Sequence, residues 1–338
     1  MQRHRIFSGI QPTGEPHLGN YLGAIRQWVE QQHAPGRADA LYAIVDYHAL
    51  TIDIEPAQLA AWTLDLTASL LACGLDPQKV TLFRQSDVPE HAELGWIFSC
   101  VAALGDLQRM TQFKDKSEQN KDNINVGLFT YPVLQAADIL LYKADQVPVG
   151  EDQVQHLELS REIARRFNRR FGDTFPEPQP LLSKVARLRG LDGGAKMSKS
   201  KGNTIALRES PESIRAKLKV AVTDPARLRR NDPGHPEVCN IFTLHGCFTG
   251  PRDPARVEAI ERDCRSAALG CVDCKKELAD RVVEQLTPIR EAHDAWRARP
   301  DDLRDVLEVG RKKAAQIAAA TMEEVRTRIG VRGLATLR

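Results

Sequence analysis

Short apolar, β-branched runs alternate with longer stretches of helical period through the first half of the chain, and this alternation narrows the possible folds more than any other feature. Ile6 to Ser8, Ala40 to Val45 and Val80 to Gln85 read as strands, while Leu18 to Gln32, Pro56 to Ala72, Glu90 to Ala103 and Tyr131 to Lys143 read as helices. Val147 to Gly150 adds another short strand, and a long amphipathic pattern runs from Asp152 to Arg170. Strands separated by helices are joined by crossovers, so the expectation is an α/β fold with a parallel, doubly wound, Rossmann-like sheet. Such sheets bind ligands beyond the carboxyl ends of their strands, at a topological switch point. The loops after Ser8, Val45, Gln85 and Val149 are therefore the places to look for a site.

The organisation changes at Pro176, and the strand signal fades after Asn203. The segment from Pro176 to Asn203 is rich in Pro, Gly and Lys without a clear period and reads as a linker or mobile loop. Beyond it, Pro211 to Val222, Pro254 to Ala268, Lys275 to Arg299 and Leu303 to Arg328 all carry helical patterns. The expected organisation is an α/β domain over residues 1–205, including the loop at 190–203, and a second, all-α helical domain over 206–338. A length of 338 residues accommodates both. With 42% hydrophobic and 27% charged residues, the composition argues against fibrous, disordered and membrane classes. Neither a targeting segment nor a run of about 18 apolar residues is visible, so a cytoplasmic protein with no membrane association is expected.

The net charge is only +2, but it is unevenly spread. From Lys184 to Arg230, 13 Lys and Arg stand against 4 Asp and Glu, which leaves the rest of the chain at −7. Such a patch suits phosphate or nucleic acid, and its plain alternative is a solvated basic face. Two motifs bear on the choice. Gly9-Ile10-Gln11-Pro12-Thr13-Gly14-Glu15-Pro16-His17-Leu18-Gly19-Asn20 follows the first strand and opens the first helix. Its glycines admit close backbone approach, the helix start offers N–H groups and positive dipole, and His17 and Asn20 share one face of the first turn. Lys196-Met197-Ser198-Lys199-Ser200-Lys201-Gly202-Asn203 follows Gly193-Gly194 in the loop. Two lysines three apart, with hydroxyls between them and glycine hinges before them, suit closure over a polyphosphate. Either motif alone has an ordinary explanation, a strand-to-helix turn or a Lys-rich loop; the pair on one α/β domain is far more specific.

This pair resembles the two signatures of the class I aminoacyl-tRNA synthetases, specifically those of the bacterial tryptophanyl-tRNA synthetases. Pro12 to Gly19 matches Pro-x-x-x-x-His-x-Gly-His, with Asn20 in place of the final His, and Lys196 to Ser200 matches the second signature letter for letter. Asp46-Tyr47-His48-Ala49, Met110-Thr111-Gln112-Phe113-Lys114, Ala136-Ala137-Asp138-Ile139-Leu140 and Val147-Pro148-Val149-Gly150-Glu151-Asp152-Gln153 extend the likeness over nearly the whole chain. The resemblance implies a homodimer that activates L-tryptophan with ATP and Mg²⁺ and transfers it to tRNA(Trp). It implies catalytic roles for His17, Asn20, Lys196 and Lys199. It assigns ATP to Gln11, Pro12, Thr13, Gly19, Asn20, Gly150, Glu151, Asp152, the backbone near Leu188, and Lys196, Met197, Ser198, Lys199 and Ser200. It assigns tryptophan to Phe7, Gly9, Tyr131, Gln135, Asp138, Val149 and Gln153.

The chemistry of Asp138 fits that assignment, because an indole N–H only donates and a buried carboxylate only accepts. Its setting, Leu134-Gln135-Ala136-Ala137-Asp138-Ile139-Leu140-Leu141, surrounds the acid with apolar residues, against the alternative of a solvated helix-face acid. Gln135 departs from the pattern, since several relatives carry methionine there; an amide in an aromatic slot changes how an indole is gripped. Three other readings compete. A tyrosyl-type synthetase shares fold and reaction. A small-molecule nucleotidyltransferase uses a similar phosphate turn but needs no basic helical domain, and a non-catalytic synthetase-like RNA-binding paralogue would not need both lysines.

Seven cysteines in a chain without a secretory signal argue against a disulfide framework. Cys73 and Cys100 sit in apolar stretches and read as small core residues, as does Cys247 for want of partners. Cys239, Cys264, Cys271 and Cys274 form Cys-x24-Cys-x6-Cys-x2-Cys, a donor set that suits tetrahedral Zn²⁺ or an iron–sulfur cluster. Spacing does not separate the two. The pattern resembles a subset of tryptophanyl-tRNA synthetases with a [4Fe-4S] cluster in the anticodon-binding domain, and on that resemblance the cluster is preferred.

Overall fold

Five strands, β1 (Arg5–Ile10), β2 (Asp39–Ile44), β3 (Thr81–Arg84), β4 (Gln146–Val149) and β5 (Gln179–Leu182), form one all-parallel sheet in the order β3-β2-β1-β4-β5. This computed structural model describes residues 4–33, 39–111, 125–150, 153–182, 188–194, 197 and 201–331. Helices cover both faces, which is why β2, Asp-Ala-Leu-Tyr-Ala-Ile, is buried at all but its first residue rather than alternating. The register pairs Ile6 with Ala40 and with Gln146, so β1 lies between β2 and β4. The strand order reverses direction there, and the gap between the ends of β1 and β4 is the topological switch point.

The fifth strand is a departure from the expected linker after Pro176. β5 is short, half-exposed and carries Pro180, which pairs with Val147 at the sheet edge, where a missing N–H is tolerated. Most expected helices are present with shifted ends. Asn125 caps Val126–Leu141 by accepting the Leu128 N–H at 2.9 Å, so this helix starts earlier than Tyr131. The first helix, Leu18 to Gln31, contains a π-helical segment at Tyr21–Ile25. The Asn240–Phe248 helix and the short Asp46–Ala49 and Leu104–Gln108 helices were not anticipated.

Contacts group residues 1–14, 28–183 and 299–338 into one unit and residues 15–27 with 184–298 into another. This grouping differs from a single boundary at 205/206. In the first unit the final helix, Pro300–Ile329, lies against β3. Gly310 makes that approach possible, since a Cβ there would overlap the Leu82 carbonyl. Two ion pairs, Lys143 with Glu324 at 2.6 Å and Arg326 with Glu93 at 2.5 Å, hold the same helix. The second unit is built on Cys271–Arg297, along which Pro211–Val220 and Asn240–Phe248 pack, burying Ile214, Leu218, Leu244, Leu278 and Val282. Among the described residues no helix is long and apolar enough to cross a membrane. Cys247 is buried as expected, Cys73 is half-buried, and Cys100 corrects its core assignment: it is exposed just past the Glu90–Ser99 helix. Its apolar sequence neighbours fall on other sides of that terminal turn.

Candidate functional site

A cavity of about 210 Å³ opens at the switch point, wholly within the first unit. Its walls come from the end of β1 (Phe7, Ser8, Gly9) with Gln11, from the end of β4 (Val147, Pro148, Val149) with Gln153, and from Val45 and His48 after β2. Tyr131, Gln135, Asp138 and Ile139 of Val126–Leu141 complete it. Tyr131, Gln135 and Asp138 are spaced four and three apart, so one helix face presents all three. Gly9 keeps the floor open, because a Cβ there would stand 2.8 Å from Val45 Cγ1. All seven residues assigned to tryptophan by resemblance thus line one cavity, together with Gln11, which had been assigned to ATP.

Asp138 is the buried charge of this wall, 2% exposed. Its Oδ2 accepts from His48 Nε2 at 2.7 Å; its Oδ1 accepts from Gln85 Nε2 and His91 Nδ1, both at 2.6 Å. Burial by itself would raise its pKa, but the histidines outweigh that and hold the carboxyl well below its ordinary range. The group is therefore a buried anion held by donors. Tyr131 hydrogen-bonds His156 at 2.9 Å, and burial pushes its phenol up to about 12, so it stays protonated. In the sequence His48 is legible only within Asp46-Tyr47-His48-Ala49 and Gln85 only as the end of a strand whose following loop is a place to look, while His91 carries no sign of a site role. The sequence neighbours of the last two are themselves partly polar, as in Arg84-Gln85-Ser86 and Glu90-His91-Ala92, so nothing local marks them as buried donors.

The second unit holds described parts of both signatures. His17 caps the first helix: its Nδ1 accepts the Gly19 N–H at 2.9 Å, and Asn20 Oδ1 accepts the His17 N–H at 3.0 Å. With Nδ1 accepting, the ring proton resides on Nε2, the donor form that a phosphate oxygen requires. A Cβ on Gly19 would meet that ring at 2.7 Å. The helix start is strapped to the segment after the second signature by Leu18 N–H to Ile205 O (3.0 Å) and Leu207 N–H to Pro16 O (2.9 Å). Met197 is buried, and Thr204 Oγ1 lies 3.7 Å from its sulfur. Gly193, at φ +80°, and Gly202, at φ +64°, occupy the left-handed region, and Asp192 ties the loop by accepting from the Gly194 N–H and Asn203 Nδ2, both at 2.9 Å. Leu188 is buried and Gly150 follows β4. Glu151, Asp152, Lys196, Ser198, Lys199 and Ser200 lie outside the described residues, as do Gln112, Phe113 and Lys114.

The profile of the family "tRNA synthetases class I (W and Y)" matches residues 1–287. The chain belongs to this family. Among similar proteins, the tryptophan–tRNA ligase of Deinococcus radiodurans is 52% identical over 96% of this chain and 98% of its own. That of Wolinella succinogenes is 47% identical over 98% and 100%. The Campylobacter jejuni tryptophanyl-tRNA synthetase structure, described as complexed with ADP and tryptophan, is similar at a TM-score of 0.83. It is 36% identical over 96% of this chain and 99% of its own.

The four cysteines of this synthetase converge. Cys239, Cys264, Cys271 and Cys274 line one small pocket with Thr223, Arg227 and the apolar Ile241, Phe242, Ile260 and Leu269. Arg227 Nη1 lies 3.7 Å from Cys264 Sγ, and a Cβ on Gly234 would overlap that sulfur. As they stand, the thiols are not set at metal-binding geometry: among the described residues no group of three or more His, Cys, Asp or Glu is so arranged. Burial pushes Cys274 up to about 12 and also raises Cys239 and Cys264. Four sulfurs around one apolar pocket nevertheless match the donor set of Zn²⁺ or an iron–sulfur cluster.

Proposed function

We propose that this chain is a tryptophan–tRNA ligase that activates L-tryptophan with ATP and charges tRNA(Trp). The observation that carries the substrate is the ionised, buried Asp138 on the cavity at the β1–β4 edge. An indole N–H finds an anionic acceptor there, and a ring lacking that donor leaves the acceptor unmatched. Gly9 gives the ring room beside Val45, and Gln135 adds a polar contact at its edge.

The family's reaction needs no covalent enzyme intermediate. The tryptophan carboxylate attacks the α-phosphorus, pyrophosphate leaves, and the terminal adenosine hydroxyl of the tRNA then displaces AMP from the adenylate. His17, held with Nε2 as donor by its capping role, and Lys196 and Lys199 stabilise charge on the phosphate oxygens. Gln11, Pro12, Thr13, Gly19, Asn20, Gly150, Glu151, Asp152, Leu188, Met197, Ser198 and Ser200 are carried over as ATP contacts. Mg²⁺ bound with the nucleotide supplies further charge neutralisation.

The helical region after residue 205 reads as the anticodon-binding part, and its four cysteines as ligands of a [4Fe-4S] cluster that ties Asn240–Phe248 to its neighbours. Zn²⁺ is the other occupant that the donor set admits. A cytoplasmic homodimer completes the reading. Charging assays with tRNA(Trp) and tRNA(Tyr) transcripts test the function: tryptophan joined to tRNA(Trp) alone supports it, and tyrosine joined to tRNA(Tyr) overturns it.

A further inference from the structure

The donors around Asp138 are unequally divided between its two oxygens. Each carboxylate oxygen offers about two lone-pair sites. Oδ1 uses both, on Gln85 Nε2 and His91 Nδ1; Oδ2 uses one, on His48. Neither Gln85 nor His91 borders the cavity, whereas His48 does. The orientation of each rear donor is itself determined. Gln85 Oε1 accepts the Tyr47 N–H at 3.1 Å, which turns its amide nitrogen toward Asp138. Tyr142, fully buried, places its hydroxyl 2.7 Å from His91 Nε2. The ionised carboxylate only accepts, so the His91 proton resides on Nδ1, facing it, and Nε2 is left to accept the Tyr142 O–H.

We propose that Gln85, His91 and Tyr142 are positioning residues for substrate selection: by saturating Oδ1 they leave a single open acceptor, on Oδ2 beside His48, for one N–H donor of the amino-acid ring. This deepens the tryptophan reading and rests on it. Without the Tyr142 hydroxyl, His91 is free to rotate. Oδ1 then regains an open lone pair, and the carboxylate no longer selects one direction of approach.

The test compares L-tryptophan with β-(3-benzothienyl)-L-alanine, in which sulfur replaces the N–H, by kcat/KM in ATP–pyrophosphate exchange. A wild-type preference for tryptophan is the result the tryptophan reading requires, and its absence overturns that reading before any variant is made. Tyr142→Phe removes the hydroxyl but keeps the ring stacked on Phe7 at 5.5 Å, so the core is retained. The expected result is a fall of about tenfold in the tryptophan-to-analogue ratio, confined to tryptophan, with a fall of only a few degrees in melting temperature from the unpaired His91 Nε2. His91→Leu lowers the ratio further, and His91→Gln, which restores one donor, recovers part of it. Equal losses for both substrates, or an unchanged ratio in Tyr142→Phe and His91→Leu, overturn the proposal and reduce the chain of residues to core packing.

Discussion

Replacing Asp138 by Asn tests the carboxylate with almost no change of shape. An amide offers one acceptor oxygen where the acid offered two. The oxygen is better spent at the Oδ1 position, where it meets two donors, Gln85 and His91, so the NH₂ group turns toward His48 and the cavity. His48 can move its own proton to Nδ1 and accept; an indole N–H has no such escape and faces another donor. The loss is one hydrogen bond to a charged acceptor, about 2–3 kcal/mol, so kcat/KM for tryptophan in pyrophosphate exchange falls roughly 30- to 150-fold. Stability carries a second signature. The folded pKa of Asp138 is depressed, so its contribution is present above the ordinary carboxylate pKa, near pH 4, and disappears as pH falls through the folded value. The wild-type advantage in melting temperature over Asp138→Asn should therefore narrow from pH 7 to pH 3. A variant within threefold of wild type in kcat/KM, or a stability gap that widens in acid, refutes this account.

Other perturbations reach different parts of the molecule. Lys196→Ala should lower the rate of adenylate formation by at least 10²-fold, on the order expected for a lost transition-state contact, while tryptophan affinity by calorimetry stays nearly wild-type. Gly310→Ala, which in an exposed helix would stabilise, should here destabilise by about 1–3 kcal/mol, because its Cβ meets the Leu82 carbonyl. Thermal melts read this as a fall of several degrees, and a rise would contradict the packing of Pro300–Ile329 on β3. Protein purified anaerobically should carry about four irons and four sulfides per chain, and Cys274→Ser should lose them; one zinc without colour points to a structural clamp instead.

The parallel sheet was legible because β1 to β4 are short apolar runs bounded by helical periods, a pattern that few other folds produce. β5 was hidden because an edge strand with Pro180 and two exposed ends need not be apolar. The last helix reads as one more member of a helical tail, since only the bare backbone at Gly310, invisible to periodicity, brings it onto β3. The cavity residues on Val126–Leu141 followed from helical spacing and resemblance. Gln85, His91 and Tyr142 did not, because nothing in Arg84-Gln85-Ser86, Glu90-His91-Ala92 or Leu141-Tyr142-Lys143 marks a buried role, and each acquires its meaning only when the fold joins it to Asp138 over separations of 53, 47 and, through His91, 51 residues.

Amino-acid-dependent ATP–pyrophosphate exchange across the twenty standard amino acids is the most direct test of the central claim. The account predicts that L-tryptophan supports exchange and that tyrosine and phenylalanine do so at least 10²-fold less efficiently, in line with a site that penalises a missing donor. Exchange driven equally well by tyrosine, or by no amino acid, would contradict it.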